Sequence, residues 1–289
     1  MHSPLSHRVR CRQIVDSDIS SLADLLTRGF PIRSRQYWLN GLARLANHPT
    51  PIGFPKFGYV LESDGMLVGV ILLITSSIQT ANALTVRCNI SSWFVEPTFR
   101  SHAAFLISRA VSRPDITYFN ISAARHTRRT AEAQGFSRYS AGQFVAFAGL
   151  QRGTAEAKVV EVEKTLDVPF EPFERDLLVG HSGYGCLSLW CETAEGAHPF
   201  VFVPRMVKGV VPCVELIYCR DISDYVRFAR PLGWHLALRG RPLVLIDSNG
   251  PIPGLRGLYF NGATPKYFKG PERPRLGDLA YTEAAVFGI

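Results

Sequence analysis

The chain has 289 residues, 46% hydrophobic and 19% charged, a composition that excludes a disordered protein and can fill one large core or two. Lys and Arg outnumber Asp and Glu by 32 to 24, a formal charge of +8 that favours anionic partners such as nucleotide phosphates. The longest apolar run, Met66 to Ile74, is about half of a membrane span. Met1 to Arg12 has no apolar stretch of the signal-peptide kind, so a cytoplasmic protein with no membrane span is expected.

Six cysteines lie at 11, 88, 186, 191, 213 and 219 without a CxxC pair. Buried free thiols in a reducing compartment, and no metal site, are the expectation. The densest basic cluster, Arg125 to Arg129, is too short for a nucleic-acid arm, and no specific nucleic-acid signature is present.

In chain order, Val9 to Ile14 alternates as a strand does, and Asp16 or Ser17 caps a helix with Ile19, Leu22, Leu25 and Leu26 on one face. A second helix from Ser34 carries Tyr37, Trp38, Leu39, Leu42 and Leu45, and His48-Pro49-Thr50-Pro51 ends it. Gly58 to Glu62 and Met66 to Ser76 form a hairpin about Asp64-Gly65. Val86 to Val95 is a strand that Pro97 stops. Ser101 to Ser112 reads as a helix, Ile116 to Ser122 as a strand, Thr127 to Gln134 as a helix ending at Gly135, and Gln143 to Ala148 as a strand. Strand, helix, strand over 87–122 implies a parallel pair, whereas the hairpin implies antiparallel neighbours. The fold class is therefore α/β with a mixed sheet.

The second half repeats part of this plan. Cys186 to Glu192 and Pro199 to Arg205 read as a hairpin, Val211 to Tyr218 as a strand, Ile222 to Arg239 as a helix interrupted near Pro231-Leu232-Gly233, and Leu243 to Asp247 as a strand. Gly262 to Asp278, with Pro265, Pro271 and Pro274, lacks periodicity and reads as a loop, and Tyr281 to Phe287 closes the chain with apolar residues. The polar stretch Leu150 to Lys158 places the boundary between two domains, 1–150 and 151–289.

The segment Ser92 to Leu106 carries the chemistry. A strand meets Pro97, then Arg100, then small residues opening a helix, an arrangement whose free N–H groups suit a pyrophosphate. Val95, Pro97 and Arg100, with Gly135-Phe136 further on, resemble the motifs of the GNAT acyl-CoA N-acyltransferase superfamily, V-x-P-x-x-R and a helix ending in G-F. The resemblance spans about residues 9–148, with the second half as a divergent tandem copy. It implies an acyl-CoA N-acyltransferase-like fold, duplicated in tandem, with acetyl-CoA or a longer acyl-CoA as cosubstrate and an amine or hydroxyl of a small molecule or sugar as acceptor. The pantetheine arm would lie along the strand at Phe94 and Val95. The pyrophosphate would lie at Arg100, Ser101, His102, Ala103 and Ala104, and Asn120 would line the acyl channel.

Two departures stand out. Phe105 occupies a position where the family has Gly or Ala, and Ala131 stands where a tyrosine general acid is frequent. The catalyst is left unassigned, with Glu96 and His126 as candidates. Two alternatives stay open: a non-catalytic acyl-CoA-binding or scaffold protein, and a Fem-type aminoacyl-tRNA-dependent peptidyltransferase.

Overall fold

The computed structural model describes residues 8–79, 84–125, 127–152, 156–162 and 170–288. The chain forms two compact units. One comprises Met1–Ser77 with Val86–Phe119, and the other comprises Ile78–Thr85 with Asn120–Ile289.

In the first unit β1 (Val9–Gln13) leads through a 3-10 turn to α1 (Ile19–Gly29) and α2 (Arg35–Ala46). The Ser34 hydroxyl accepts from the Tyr37 N–H and fixes the start of α2. β2 (Gly58–Ser63) and β3 (Met66–Gln79) are antiparallel, and Asp64 and Gly65 both take positive φ, as a tight two-residue hairpin turn demands. β4 (Leu84–Val95), α3 (Ala103–Ala110) and β5 (Thr117–Asn120) complete the unit, whose strand order is β1-β2-β3-β4-β5. The apolar stripes of α1 and α2 are buried, Leu22, Leu25, Leu26, Trp38, Leu42 and Leu45 among them.

The second unit holds α4 (Arg128–Ala133), β6 (Ser137–Phe147), β7 (Lys158–Glu161), α5 (Pro172–Gly183), β8 (Leu187–Thr193) and β9 (Gly196–Val207). β10 (Val211–Cys219), α6 (Ile222–Arg227), α7 (Ala229–Leu238), β11 (Leu243–Ser248), β12 (Gly257–Lys269) and α8 (Glu283–Val286) follow. The strand order here is β12-β6-β11-β10-β9-β8-β7. β7 to β11 repeat the order of β1 to β5. Each series has an antiparallel hairpin (β2–β3, β8–β9) and a helical crossover to a parallel neighbour (β4–β5, β10–β11). The mixed α/β sheet read from the sequence is present.

Several boundaries differ from the sequence pattern. The interruption in the second-half helix falls at Phe228, and Pro231 lies in the first turn of α7, where its missing N–H is harmless. Gly262 to Lys269 is not a loop but the end of β12, and α5 had no counterpart in the pattern. β6, placed by composition with the first half, lies in the second unit because both its edges ladder there, one with β11 and one with β12.

The second unit's sheet is two-faced. On one side Phe144 and Ala146 of β6, Val244 and Ile246 of β11, Val214 and Leu216 of β10, and Phe200 and Phe202 of β9 pack on Tyr225, Phe228, Leu232 and Leu236. Alternation turns Gln143, Asp247, Glu215 and Arg205 to the other face. Phe202 has no solvent exposure, so Phe202→Ala is expected to cost roughly 3–5 kcal/mol in urea unfolding. Val210→Ala, at a residue that is 74% exposed, is expected to change stability by less than about 0.5 kcal/mol.

Candidate functional site

β4 is the element on which the predicted cofactor residues depend. It pairs in parallel with β5 through Arg87–Thr117, Cys88–Tyr118 and Asn89–Phe119, and there the register ends while β4 continues to Val95. The Asn89 amide donates to the Phe119 carbonyl at 3.3 Å and closes the ladder at its last rung. Three residues on, Ser92 has φ +50°, a left-handed conformation that costs a non-glycine residue energy and bends the strand. The Glu96 N–H donates to the Val68 carbonyl of β3. Alternation along the strand therefore turns the Trp93 and Val95 N–H groups the other way, toward the edge left beyond the end of β5.

The side chains in this segment have separate tasks. Val95 is buried, and the Phe94 ring lies over Gly29, where a Cβ would meet it at 2.5 Å. The Glu96 carboxylate accepts from Arg28 Nε at 2.9 Å, so this candidate base is held in an ion pair. His126, the other candidate, lies outside the described residues.

Beyond Glu96, a 3-10 turn, Pro97–His102, runs directly into α3. The Phe99 N–H donates to Glu96 and the Ala103 N–H to Arg100, which engages two of the amides that an open loop would offer to phosphate. Arg100 and Ser101 are exposed, His102 is half-buried 3.2 Å from the Ser101 hydroxyl, and Ala104 is exposed on the helix. Phe105 is 54% exposed, on the surface of α3. Asn120 ends β5. Ala131 is buried in α4 and its carbonyl accepts from Phe136, while Gly135 takes φ +86° as the helix terminator.

In the second unit β10 also outruns its parallel ladder, with a different outcome. β10 pairs with β11 through Cys213–Leu243, Val214–Val244 and Glu215–Leu245 and then separates, with a bulge between Leu216 and Tyr218. Here the chain itself fills the edge. The Cys219 N–H donates to Gly277, the Leu279 N–H donates to Ile217 at 2.7 Å, and Tyr218 bridges Asp278. The backbone groups that the first unit turns outward at Trp93 and Val95 have internal partners in the second.

The polar face of the second sheet holds a group of charges that sequence reasoning did not assemble. Arg205 Nε and Nη2 donate to Glu215 Oε2 at 2.9 and 2.8 Å. Lys266 Nζ lies 3.3 Å from Glu215 Oε1 and 3.1 Å from Asp247 Oδ1, with all three side chains more than nine-tenths buried. Burial pushes the Glu215 carboxyl up, but Lys266 and Arg205 outweigh it and hold the group below its ordinary value. Burial pushes Asp247 up to about 6, and Lys266 only partly opposes this. The readable signal was a lone charge in an apolar strand, Glu215 within Val214 to Tyr218 and Asp247 after Leu243 to Ile246. Among the described residues there is no group of three or more His, Cys, Asp or Glu able to hold a metal, and no helix is long and apolar enough to cross a membrane.

No family model matches the chain, and no curated protein does. Solved structures do. A Pyrococcus horikoshii protein with an acetyltransferase designation is similar over 97% of this chain and 96% of its own, with a TM-score of 0.57 at 12% identity. A GCN5-related N-acetyltransferase from Anabaena variabilis is similar over 90% of this chain and 72% of its own, with a TM-score of 0.56 at 13% identity. One from Kribbella flavida is similar over 91% and 71%, with a TM-score of 0.54 at 12% identity. The chain thus has the GCN5-related N-acetyltransferase fold; identities this low speak to the fold alone.

An acid whose folded value is raised is stabilised in its protonated form, so the Asp247 contribution grows as pH falls through 6 toward the unfolded value near 3.8. From pH 7 to 5 the stability of the protein relative to Asp247→Asn is expected to rise by about 1 kcal/mol. Chemical unfolding at both pH values measures it, and a constant difference would contradict the assignment.

Proposed function

We propose that the chain is a CoA-dependent acyltransferase, moving an acyl group from acetyl-CoA or a longer acyl-CoA to an amine or hydroxyl of a small molecule or sugar. One observation carries the reading. In a fold shared with N-acetyltransferases, β4 runs past its ladder with β5 through a strained bend and turns Trp93 and Val95 N–H groups to the diverging edge. In the proposed complex these groups hydrogen-bond the pantetheine arm and polarise the thioester carbonyl. Arg100 and Ser101 bind the pyrophosphate chiefly through their side chains, since the Ala103 amide is engaged within the turn.

The acceptor's lone pair attacks the thioester carbon, and the resulting oxyanion is held by the strand. Its collapse breaks the C–S bond, and the acceptor's proton ends on the departing thiolate. With Ala131 in place of a tyrosine and Glu96 paired to Arg28, that proton passes through solvent. The same two observations favour a second reading, an acyl-CoA-binding protein without turnover.

Calorimetry with CoA and acetyl-CoA tests the site. Ala103→Asp sets a carboxylate against the pyrophosphate and is expected to weaken binding about tenfold or more, and Arg100→Ala several-fold. Unchanged affinity in both variants would remove the turn from the site. Thiol release across a panel of amines separates the readings: release supports the transferase, and binding without release supports the second.

A further inference from the structure

The buried charges of the second unit form part of the wall of a cavity of about 350 Å³, at the lower end of the roughly 300–1,000 Å³ that small-molecule sites occupy. Arg205, Glu215 and Lys266 all line it, together with Gln143 of β6. The wall is built by an irregularity in β12. Asn261 pairs with Gly142 and Lys266 with Ser140, so four residues, 262–265, stand opposite Ala141 alone. Within that bulge Thr264 has φ +42°, a strained conformation for a β-branched residue, and both Thr264 and Pro265 face the cavity. The detour is what brings Lys266 between Glu215 and Asp247.

The hydrogen bonds of the network are unevenly filled. Glu215 accepts on both oxygens, from Arg205 and from Lys266. Arg205 donates through Nε and Nη2, but its buried Nη1 has no hydrogen-bond partner among the described residues. A buried guanidinium nitrogen without an acceptor is costly, and an anionic oxygen is its strongest partner. Arg128 adds a third cation to the same wall, after Arg205 and Lys266. The rest of the lining is mainly apolar, with Ile121, Met206, Leu245 and Ala284, and the Glu283 carboxylate stands on it, opposite in charge to the three cations. The ligand therefore needs one oxyanion and a short hydrocarbon body.

We propose that this cavity binds a small aliphatic or aromatic monocarboxylate, its carboxylate on Arg205 and its apolar part against Leu245 and Met206. The assignment does not rest on the acyltransferase reading. Asp247 tunes the site. The groups facing it are Lys266 of β12 and Glu215 of β10, with Arg205 of β9 beyond, and Arg128 of α4 and Glu283 of α8 line the same cavity. Protonation of Asp247 removes one negative charge from beside Lys266 and leaves Arg205, Lys266 and Arg128 opposed by Glu215 and Glu283, so anion affinity rises as pH falls from 7 toward 5.5.

Calorimetry on the full chain with isobutyrate and benzoate, with the uncharged isobutyramide and with inorganic phosphate, tests the proposal. The carboxylates are expected to bind at least about tenfold more tightly than the amide, and more tightly than phosphate. Arg205→Lys keeps the charge beside Glu215 but removes Nη1, and Ser122→Trp fills the cavity from an exposed lining position; each is expected to weaken the carboxylates about tenfold. Asp247→Asn is expected to abolish the pH dependence. If Arg205→Lys misfolds, Ser122→Trp decides alone. Absence of carboxylate binding, equal affinity for the amide, preference for phosphate, or indifference to Ser122→Trp would each overturn the assignment.

Discussion

A parallel strand pair that separates after three residues leaves backbone donors and acceptors that need partners elsewhere, and both units of this chain are built around that constraint. The divergence is no accident of one loop. It recurs at Asn89–Phe119 and at Glu215–Leu245, each time followed by a distortion of the longer strand, positive φ at Ser92 in one case and a bulge near Ile217 in the other. A strand that bends away from its neighbour presents hydrogen-bonding groups at regular spacing, which is what an extended amide-bearing ligand can match.

The two units resolve the constraint differently. In the second unit Gly277 to Leu279 returns to bond Ile217 and Cys219, so the edge is satisfied by the chain itself. The cavity of that unit lies on the other face of its sheet, where alternation places Arg205, Glu215, Asp247 and Gln143 opposite the aromatic core. One face holds the unit together through burial, while the other holds ionised groups that burial alone would disfavour and that stand only because they are paired. Two units with the same strand order thus carry two chemically distinct surfaces.

Much of the fold was legible because local rules and tertiary packing agree. Ser34 caps α2, Asp64-Gly65 makes the hairpin, Pro97 stops β4 and Gly135 ends α4. β12 was not legible, because the four-residue bulge around Gly262 to Pro265 breaks the alternation that identifies a strand. Pro231 misled in the opposite sense, since a proline in a helix's first turn does not end it. For the candidate site, Val95 and Pro97 mark the end of β4 and the turn that follows it, but no local pattern revealed that Glu96 pairs with Arg28, 68 residues away. Lys266 and Glu215 are 51 residues apart and meet only through the sheet's register.

Amide hydrogen exchange across the whole chain, with and without acetyl-CoA, reads both strand ends in one experiment. Exchange is expected to slow at Trp93 and Val95 on adding acetyl-CoA, with Cys219 and Leu279 already protected and unchanged. Protection gained at Cys219 and Leu279, or at neither strand, would contradict this expectation.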